Sequence, residues 1–269
     1  MSSPSAERRA VDLNSDLGEG FGPFQVGADE ALFSLISSAN VACGFHGGDP
    51  VMMELTVARA REHGVAIGAH PGFPDRAGFG RRAMAATPDE IRTDVLYQLG
   101  ALGGFCRAAG VELRHVKAHG ALYNLAVNDI GMATAIAQAV HSFDPSLLFF
   151  AIPGSRLHEA GQTAGLTVIR EAFADRAYLA DGSLVPRSRP GAVIHDVDLI
   201  AERMVRLVTE GTIETIDGEV LAIEADTICI HSDTSNAVAI AEAVTERFRQ
   251  AGIEIRPCGS SRSSDLRNG

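Results

Sequence analysis

Five short apolar runs of the sequence each end in a group of ionisable side chains. In order along the chain these groups lie at positions 12–19, 40–49, 66–71, 115–120 and 228–233. Parallel strands that alternate with helices place their carboxyl ends at one edge of the sheet, and α/β barrels build their active sites from that edge. The repeated pattern therefore favours an enzyme with one site assembled from several strands.

Helix signals alternate with these runs. Asp49 before a proline predicts a helix that ends before Gly64, and Thr87 with Glu90 has the spacing of a capping box. The last helix is predicted over Ser235–Gln250. Strands that alternate with helices predict a parallel sheet covered by helices. Seven or eight strands favour closure into a TIM-barrel-like (β/α) barrel, with a doubly wound open sheet as the alternative because periodicity does not reveal strand order.

We expect one barrel domain, because the chain shows no internal repeat and no linker. Its predicted bounds are residues 11–257, with flexible tails at 1–10 and 258–269. The first ten residues lack the apolar core of a signal peptide, and no run approaches the roughly 18 apolar residues that cross a bilayer. Membrane insertion is therefore not expected.

The charge balance and the cysteines narrow the class of protein further. The sequence has 34 acidic against 23 basic residues, a formal charge of −11, which argues against nucleic acid or an anionic membrane as the main partner. The four cysteines show no CxxC spacing, and two of them lie in apolar runs. We therefore expect reduced, packed thiols and a cytoplasmic protein.

The first ionisable group contains Asp12, Asn14 and Asp16. In an extended strand these alternate residues share one face. Three short oxygen-bearing side chains suggest a divalent cation or a phosphate–metal complex, although the misplaced glycine and Pro23 exclude a calcium loop of the EF-hand kind. We expect Asp16 to be functional; the alternative is that these groups only cap the following turn.

The second and third groups supply histidines. His46 lies between glycines, which let backbone approach a ligand closely and free N–H groups for an anion. His70 follows a buried strand and is predicted to project into the barrel mouth. Arg76, a few residues on, would suit a carboxylate or phosphate, with an ordinary surface arginine as the alternative.

The fourth group places His115, Lys117 and His119 on one face of a strand. A lysine that points into a barrel is costly unless it is paired or bound to an anion, so Lys117 is a candidate catalytic residue. Its alternative role is a buried ion pair with a neighbouring acid. His115 and His119 would lie about 13 Å apart and cannot bind one ion, and His119 is the better candidate because it is nearer the carboxyl end.

The segment Phe173–Gly191 is too long for an ordinary connection and is a candidate lid or substrate loop, carrying Arg176. The sequence contains no GxxxxGK[ST] phosphate loop, GxSxG elbow, HExxH or Rossmann GxGxxG. Any nucleotide must therefore be bound by other means.

The sequence resembles the LamB/YcsF family in five segments, which occur in the same order. The segments are VDLNSDLGEGFGPF, SSANVACGFHGGDP, GAHPGFPDRAGFGRR, VKAHGALYN and, near residue 172, AFADRAY. The resemblance implies a seven-stranded α/β barrel related to the glycoside hydrolase/deacetylase barrels. It also implies a component of ATP-dependent 5-oxoprolinase, which opens 5-oxoproline to glutamate together with partner subunits B and C.

The roles of individual residues in that reaction are a hypothesis. The predicted catalytic residues are Asp16, His46, His70, Lys117 and His119, of which the histidines would shuttle protons. The predicted substrate- or phosphate-binding residues are Asn14, Glu19, Arg76 and Arg176. ATP is expected as the co-substrate, and a divalent metal is considered, with Asp16, His46 and His70 as candidate ligands.

Two other functions stay open. The first is a metal-dependent hydrolase of the polysaccharide deacetylase kind that acts alone on an amide. The second is a non-catalytic component that binds substrate while partner subunits carry out the chemistry.

Overall fold

The computed structural model describes residues 9–234 and 236–260. Most of the predicted tails, residues 1–8 and 261–269, lie outside the described residues, and so does Ser235, the predicted start of the last helix.

Strands and helices alternate along most of the chain. The strands are β1 (Ala10–Leu17), β2 (Ser38–Ala42), β3 (Ala66–His70), β4 (Leu113–Val116), β5 (Leu148–Ala151), β6 (Thr167–Phe173), β7 (Thr212–Glu214), β8 (Val220–Ala222), β9 (Thr227–Ile230) and β10 (Glu254–Ile255). The helices are α1 (Asp29–Leu32), α2 (Pro50–His63), α3 (Pro88–Ala109), α4 (Gly120–Ala126), α5 (Ile130–Phe143), α6 (Arg156–Thr163), α7 (Val197–Glu210) and α8 (Ala237–Gln250).

Seven parallel strands form a ring in the order β1-β2-β3-β4-β5-β6-β9, which closes where β9 pairs with β1. β10 pairs with the start of β1 outside the ring, and β7 pairs with β8 as an antiparallel hairpin. The predicted TIM-barrel-like fold is confirmed with seven strands in the ring, and the alternative of an open sheet is wrong.

The predicted helix boundaries are confirmed where the sequence carries local signals. The Asp49 side chain accepts a hydrogen bond from the backbone N–H of Met52, and α2 ends at Gly64 with φ +68°. Thr87 and Glu90 form the reciprocal capping box that starts α3. Each cap satisfies backbone groups that the helix itself leaves without partners.

Polar side chains fill the interior of the ring, where branched apolar residues are usual in such barrels. His115 Nε2 on β4 lies 2.8 Å from Asn40 Oδ1 on β2, and Asn40 donates to Asn14 Oδ1 on β1 at 2.7 Å. Contacts between strands that are not neighbours, such as β4 and β2, pass through the interior. The core that faces the helices is apolar and includes Leu13 and Ile67.

Gly68 on β3 leaves the space that the His115 ring occupies. A Cβ at this position would lie 2.1 Å from His115 Nε2, and the ring cannot retreat because it stacks on Phe150 with 4.3 Å between centroids. We expect Gly68→Ala to lower the free energy of unfolding by about 1–3 kcal/mol, the usual effect of overpacking, as measured by urea denaturation.

The matched control is Gly104→Ala on the exposed face of α3, where an added Cβ meets no atom within 4 Å. Alanine is the better helix former by about 1 kcal/mol, so this variant should be at least as stable as the parent. Equal urea midpoints for Gly68→Ala and the parent protein would contradict the packing at Gly68.

Candidate active site

A cavity of about 390 Å³ opens at the carboxyl ends of the ring strands. Its wall includes ionisable side chains from four of the five predicted groups, and also from the segment after β6. These residues are Asp16, Glu19, His70, Lys117, His119, Arg176, His231 and Asp233. The volume is within the range of small-molecule sites, about 300–1,000 Å³.

Lys117, the sequence's single lysine, lies at the base of this cavity. Its Nζ is 2.9 Å from Asp16 Oδ1, 3.1 Å from Glu171 Oε1 and 2.9 Å from Cys229 Sγ, and the side chain is buried. Burial alone would lower the pKa of Lys117, but the charge of Asp16, supported by Glu171, raises that pKa well above its usual range. The alternative role given to Lys117, a buried ion pair, is therefore present in the structure.

Asp16 links Lys117 to the histidines. Its Oδ1 also accepts a hydrogen bond from Asn40 at 2.9 Å, and its Oδ2 lies 3.4 Å from His70 Nε2. Burial alone would raise the pKa of Asp16, but His70 and Lys117 outweigh it and hold the pKa well below its usual range. Asp16 is therefore a fixed negative charge beside a fixed positive one.

Four side chains meet beside this pair: Glu19, His46, His70 and His119. Their ligand atoms all lie within 4.8 Å of one another. Glu19 Oε1 is 3.2 Å from His46 Nε2 and 3.4 Å from His119 Nδ1. Burial, with the charges of Asp16 and Asp233, raises the pKa of Glu19 well above its usual range. Burial, with the neighbouring histidines, lowers the pKa values of His46 and His119 well below theirs.

Glycines in the loops after β3 allow this close packing. A Cβ on Gly72 would lie 2.7 Å from His46 Nδ1, and a Cβ on Gly80 would lie 2.7 Å from both His46 Cβ and His119 Cδ2. Side chains at these two positions would push the histidine rings apart.

A second buried acid–histidine pair lies beside the cavity, whose wall includes His231. His231 Nδ1 lies 2.7 Å from Asp175 Oδ1, and the Thr234 hydroxyl donates to Asp175 Oδ2 at 3.0 Å. Burial alone would raise the pKa of Asp175, but His231 and these hydrogen bonds lower it to about 2. The ionised Asp175 therefore orients the His231 ring.

Three predicted binding residues make contacts within the protein itself, and their binding roles stay predictions. The Arg76 guanidinium donates to the carbonyls of Gly44 and Gly48 at 2.6 and 2.9 Å, and the structure does not bring it to the cavity wall. Asn14 lies beneath Lys117, 3.4 Å from its Nζ, and is fully buried.

The third is Arg176, which lines the cavity but donates to the carbonyls of Val185 and Ala192 at 2.6 and 3.3 Å. Burial, with the charge of Arg187, lowers the pKa of Arg176 to about 10. Arg176 thus ties together the loop in which the sequence predicts a lid, and that lid role stays a prediction.

Glu171 and Asp175 are the site residues that the sequence analysis missed. Glu171 is fully buried on β6, and it accepts a hydrogen bond from the Tyr123 hydroxyl at 2.8 Å. The available signal was an acid two residues after the apolar pair Val168–Ile169, on a strand that continues to Phe173. Asp175 carried no such signal, because a polar loop follows it.

All four cysteines are free, as predicted. Within residues 9–234 and 236–260, no helix has both the length and the apolar character of a membrane span.

Comparisons with known proteins identify relatives over nearly the whole chain. A family model described as LamB/YcsF family matches residues 11–263. The A subunit of 5-oxoprolinase from Symbiobacterium thermophilum is 52% identical over 252 residues, covering 94% of this chain and 97% of that protein. The A subunit of 5-oxoprolinase from Thermus thermophilus is 53% identical over 246 residues, covering 91% and 98%.

A solved structure gives the same result for the fold. The crystal structure of a lactam utilization protein from Thermus thermophilus superposes with a TM-score of 0.89 at 53% identity, covering 92% of this chain and 99% of that one. The similarity in fold therefore extends over nearly the whole chain.

Proposed function

The chain belongs to the LamB/YcsF family, and from that premise we propose that it takes part in the ATP-dependent hydrolysis of 5-oxoproline to glutamate. It acts as one component of a complex with partner subunits B and C, and ATP is converted to ADP and phosphate. The names of relatives that share half of its residues support this activity. The observation that carries the proposal is the buried Lys117–Asp16 pair at the base of the cavity.

The reaction needs an electrostatic site because a five-membered lactam is a poor electrophile. Transfer of the γ-phosphoryl group of ATP to the ring carbonyl oxygen turns that oxygen into a leaving group. Water then attacks the carbonyl carbon, and the C–N bond breaks as the nitrogen takes a proton. A second water hydrolyses the resulting acyl phosphate to the carboxylate of glutamate and free phosphate. A cation beside the phosphorylated oxygen stabilises the charge that develops there.

We assign that role to Lys117. Its raised pKa keeps it positively charged, and it lines the cavity although its side chain is buried. Asp16 holds the ammonium group in place, because a carboxylate with a lowered pKa is a weak base and a strong partner for a cation. The proton-shuttle roles of the three histidines stay predictions.

The co-substrate would be ATP with Mg²⁺, an ion that proteins bind largely through the phosphates of the substrate. We place the lactam and the transferred phosphoryl group in this cavity, because its volume suits a small molecule.

One assay tests the proposal: glutamate release from 5-oxoproline, measured with and without ATP, for this chain alone and mixed with subunits B and C. We expect release only from the full mixture with ATP. Hydrolysis of an amide by the isolated chain without ATP would instead support a deacetylase-like hydrolase. Full turnover after substitutions of the cavity residues would support a non-catalytic binding component.

A further inference from the structure

We propose that Glu19, His46, His70 and His119 bind a resident transition-metal ion of the zinc class. This ion is distinct from the Mg²⁺ that accompanies ATP, and the proposal stands whether or not 5-oxoproline is the substrate. Its basis is the direction in which the histidine nitrogens point.

Backbone carbonyls fix which nitrogen of each ring carries hydrogen. The Nδ1–H of His70 donates to the carbonyl of Lys117 at 2.7 Å, since a carbonyl can only accept. In the neutral ring, His70 Nε2 therefore presents a lone pair. In the same way the Nε2–H of His119 donates to the carbonyl of Phe79 at 2.8 Å, which leaves a lone pair on His119 Nδ1.

These two lone pairs face each other with 3.0 Å between His70 Nε2 and His119 Nδ1. Two nitrogen lone pairs repel at that distance unless a cation lies between them. A metal ion fits this site better than a single shared proton, because ligand atoms of Glu19 and His46 lie within 4.8 Å of both nitrogens.

The spacings match a tetrahedral ion. Zinc–ligand bonds of about 2.0–2.1 Å place neighbouring ligand atoms about 3.3 Å apart. Three separations in the cluster are 3.0, 3.2 and 3.4 Å, and all four ligand atoms lie within 4.8 Å of one another. Imidazole-rich donor sets suit zinc, copper, iron or nickel, whereas calcium and magnesium prefer oxygen.

The surroundings also resemble those of a metal site. Ligand histidines usually donate their second ring N–H to a carbonyl or a carboxylate, as His70 and His119 do. Glu19, His70 and His119 line the cavity, so a bound ion would be open to a substrate. Asp16 was a ligand candidate in the sequence analysis, but its Oδ1 already accepts hydrogen bonds from Lys117 and Asn40.

His46 is the ligand that has to move. Its ring stacks on that of His119 with 3.6 Å between centroids and 5° between planes, so one ion cannot lie in both ring planes. No partner holds His46 Nδ1 among the described residues, so a tilt of this ring breaks no hydrogen bond at that nitrogen. We therefore expect Glu19, His70 and His119 to bind first.

The test uses the isolated full-length chain, without ATP or 5-oxoproline, so its result is separate from that of the turnover assay. After removal of metals with a chelator, zinc binding is measured by calorimetry and elemental analysis, and cobalt binding by visible absorption. We expect one ion per chain and the absorption bands of four-coordinate cobalt. A chain that takes up no stoichiometric zinc or cobalt would overturn the proposal.

Variants locate the ion. Glu19→Gln and His119→Ala should weaken zinc binding at least about tenfold, with folding checked by thermal denaturation. His231→Ala is the matched control, because His231 lies in a second group with Asp16 and Cys229 on the same cavity. Loss of zinc in His231→Ala, with binding retained in Glu19→Gln and His119→Ala, would place the ion in that group and overturn the proposal.

Discussion

Replacement of Lys117 by methionine should lower the free energy of unfolding by about 3–5 kcal/mol, the usual effect of removing one partner from a buried ion pair. The substitution leaves Asp16 and Glu171 buried without their cation, since Lys117 Nζ lies 2.9 and 3.1 Å from their oxygens. Turnover of the assembled complex should also fall at least about a hundredfold, because comparable electrostatic groups contribute that much to catalysis. Urea denaturation and glutamate release measure the two effects.

A second substitution separates folding from catalysis. Glu171→Gln removes one of the two unpaired charges and keeps an oxygen that can accept from the Tyr123 hydroxyl. The double variant Lys117→Met/Glu171→Gln should therefore regain part of the lost stability and none of the turnover. Near-normal turnover in either variant would remove Lys117 from the catalytic residues. Turnover that recovers together with stability would show that Lys117 acts only through folding.

The elements that could be predicted from the sequence are those with local chemical signals. The helix starts at Asp49 and Thr87 depend on side chains that bond backbone a few residues away, so a short window contains the whole cause. The closure of the ring does not have a local cause. It depends on β9 pairing with β1, more than 200 residues apart, and periodicity alone left an open sheet as the alternative.

The residues of the site also divide into those with a local signal in the sequence and those without one. The predicted strand ends identified Asp16, His70 and Lys117 as site candidates, because alternation along a strand fixes which residues share a face. Arg76 could not be placed, since its position depends on the fold of two loops whose carbonyls it binds. Glu171 was missed because the length of a buried strand is a tertiary property.

The polar interior connects fold and function. Side chains that would be apolar in most barrels form a network here, in which each charge has a partner on another strand. Such a network is stable only when its members are satisfied together, so it holds the cavity groups in fixed positions. The same coupling makes single charge deletions damaging to both stability and chemistry.

Asp16→Asn tests the chemistry with the smallest change in shape. The amide has the size of the carboxylate, but it removes the negative charge that holds Lys117 at 2.9 Å and lies 3.4 Å from His70. We expect kcat of the assembled complex to fall at least about a hundredfold, with a smaller change in KM, because the charge acts mainly on the transition state.

The matched control is Asp226→Asn, the same chemical change at the amino-terminal end of β9, where Asp226 pairs with Arg170 at 2.7 Å. That variant should lose stability and keep its turnover, since Asp226 lies at the rim of the barrel away from the cavity. A similar fall in kcat for both variants would mean that the loss follows from weakened folding. Unchanged kcat in Asp16→Asn would separate the Lys117–Asp16 pair from the reaction and would leave Glu171, 3.1 Å from the lysine, as its carboxylate partner.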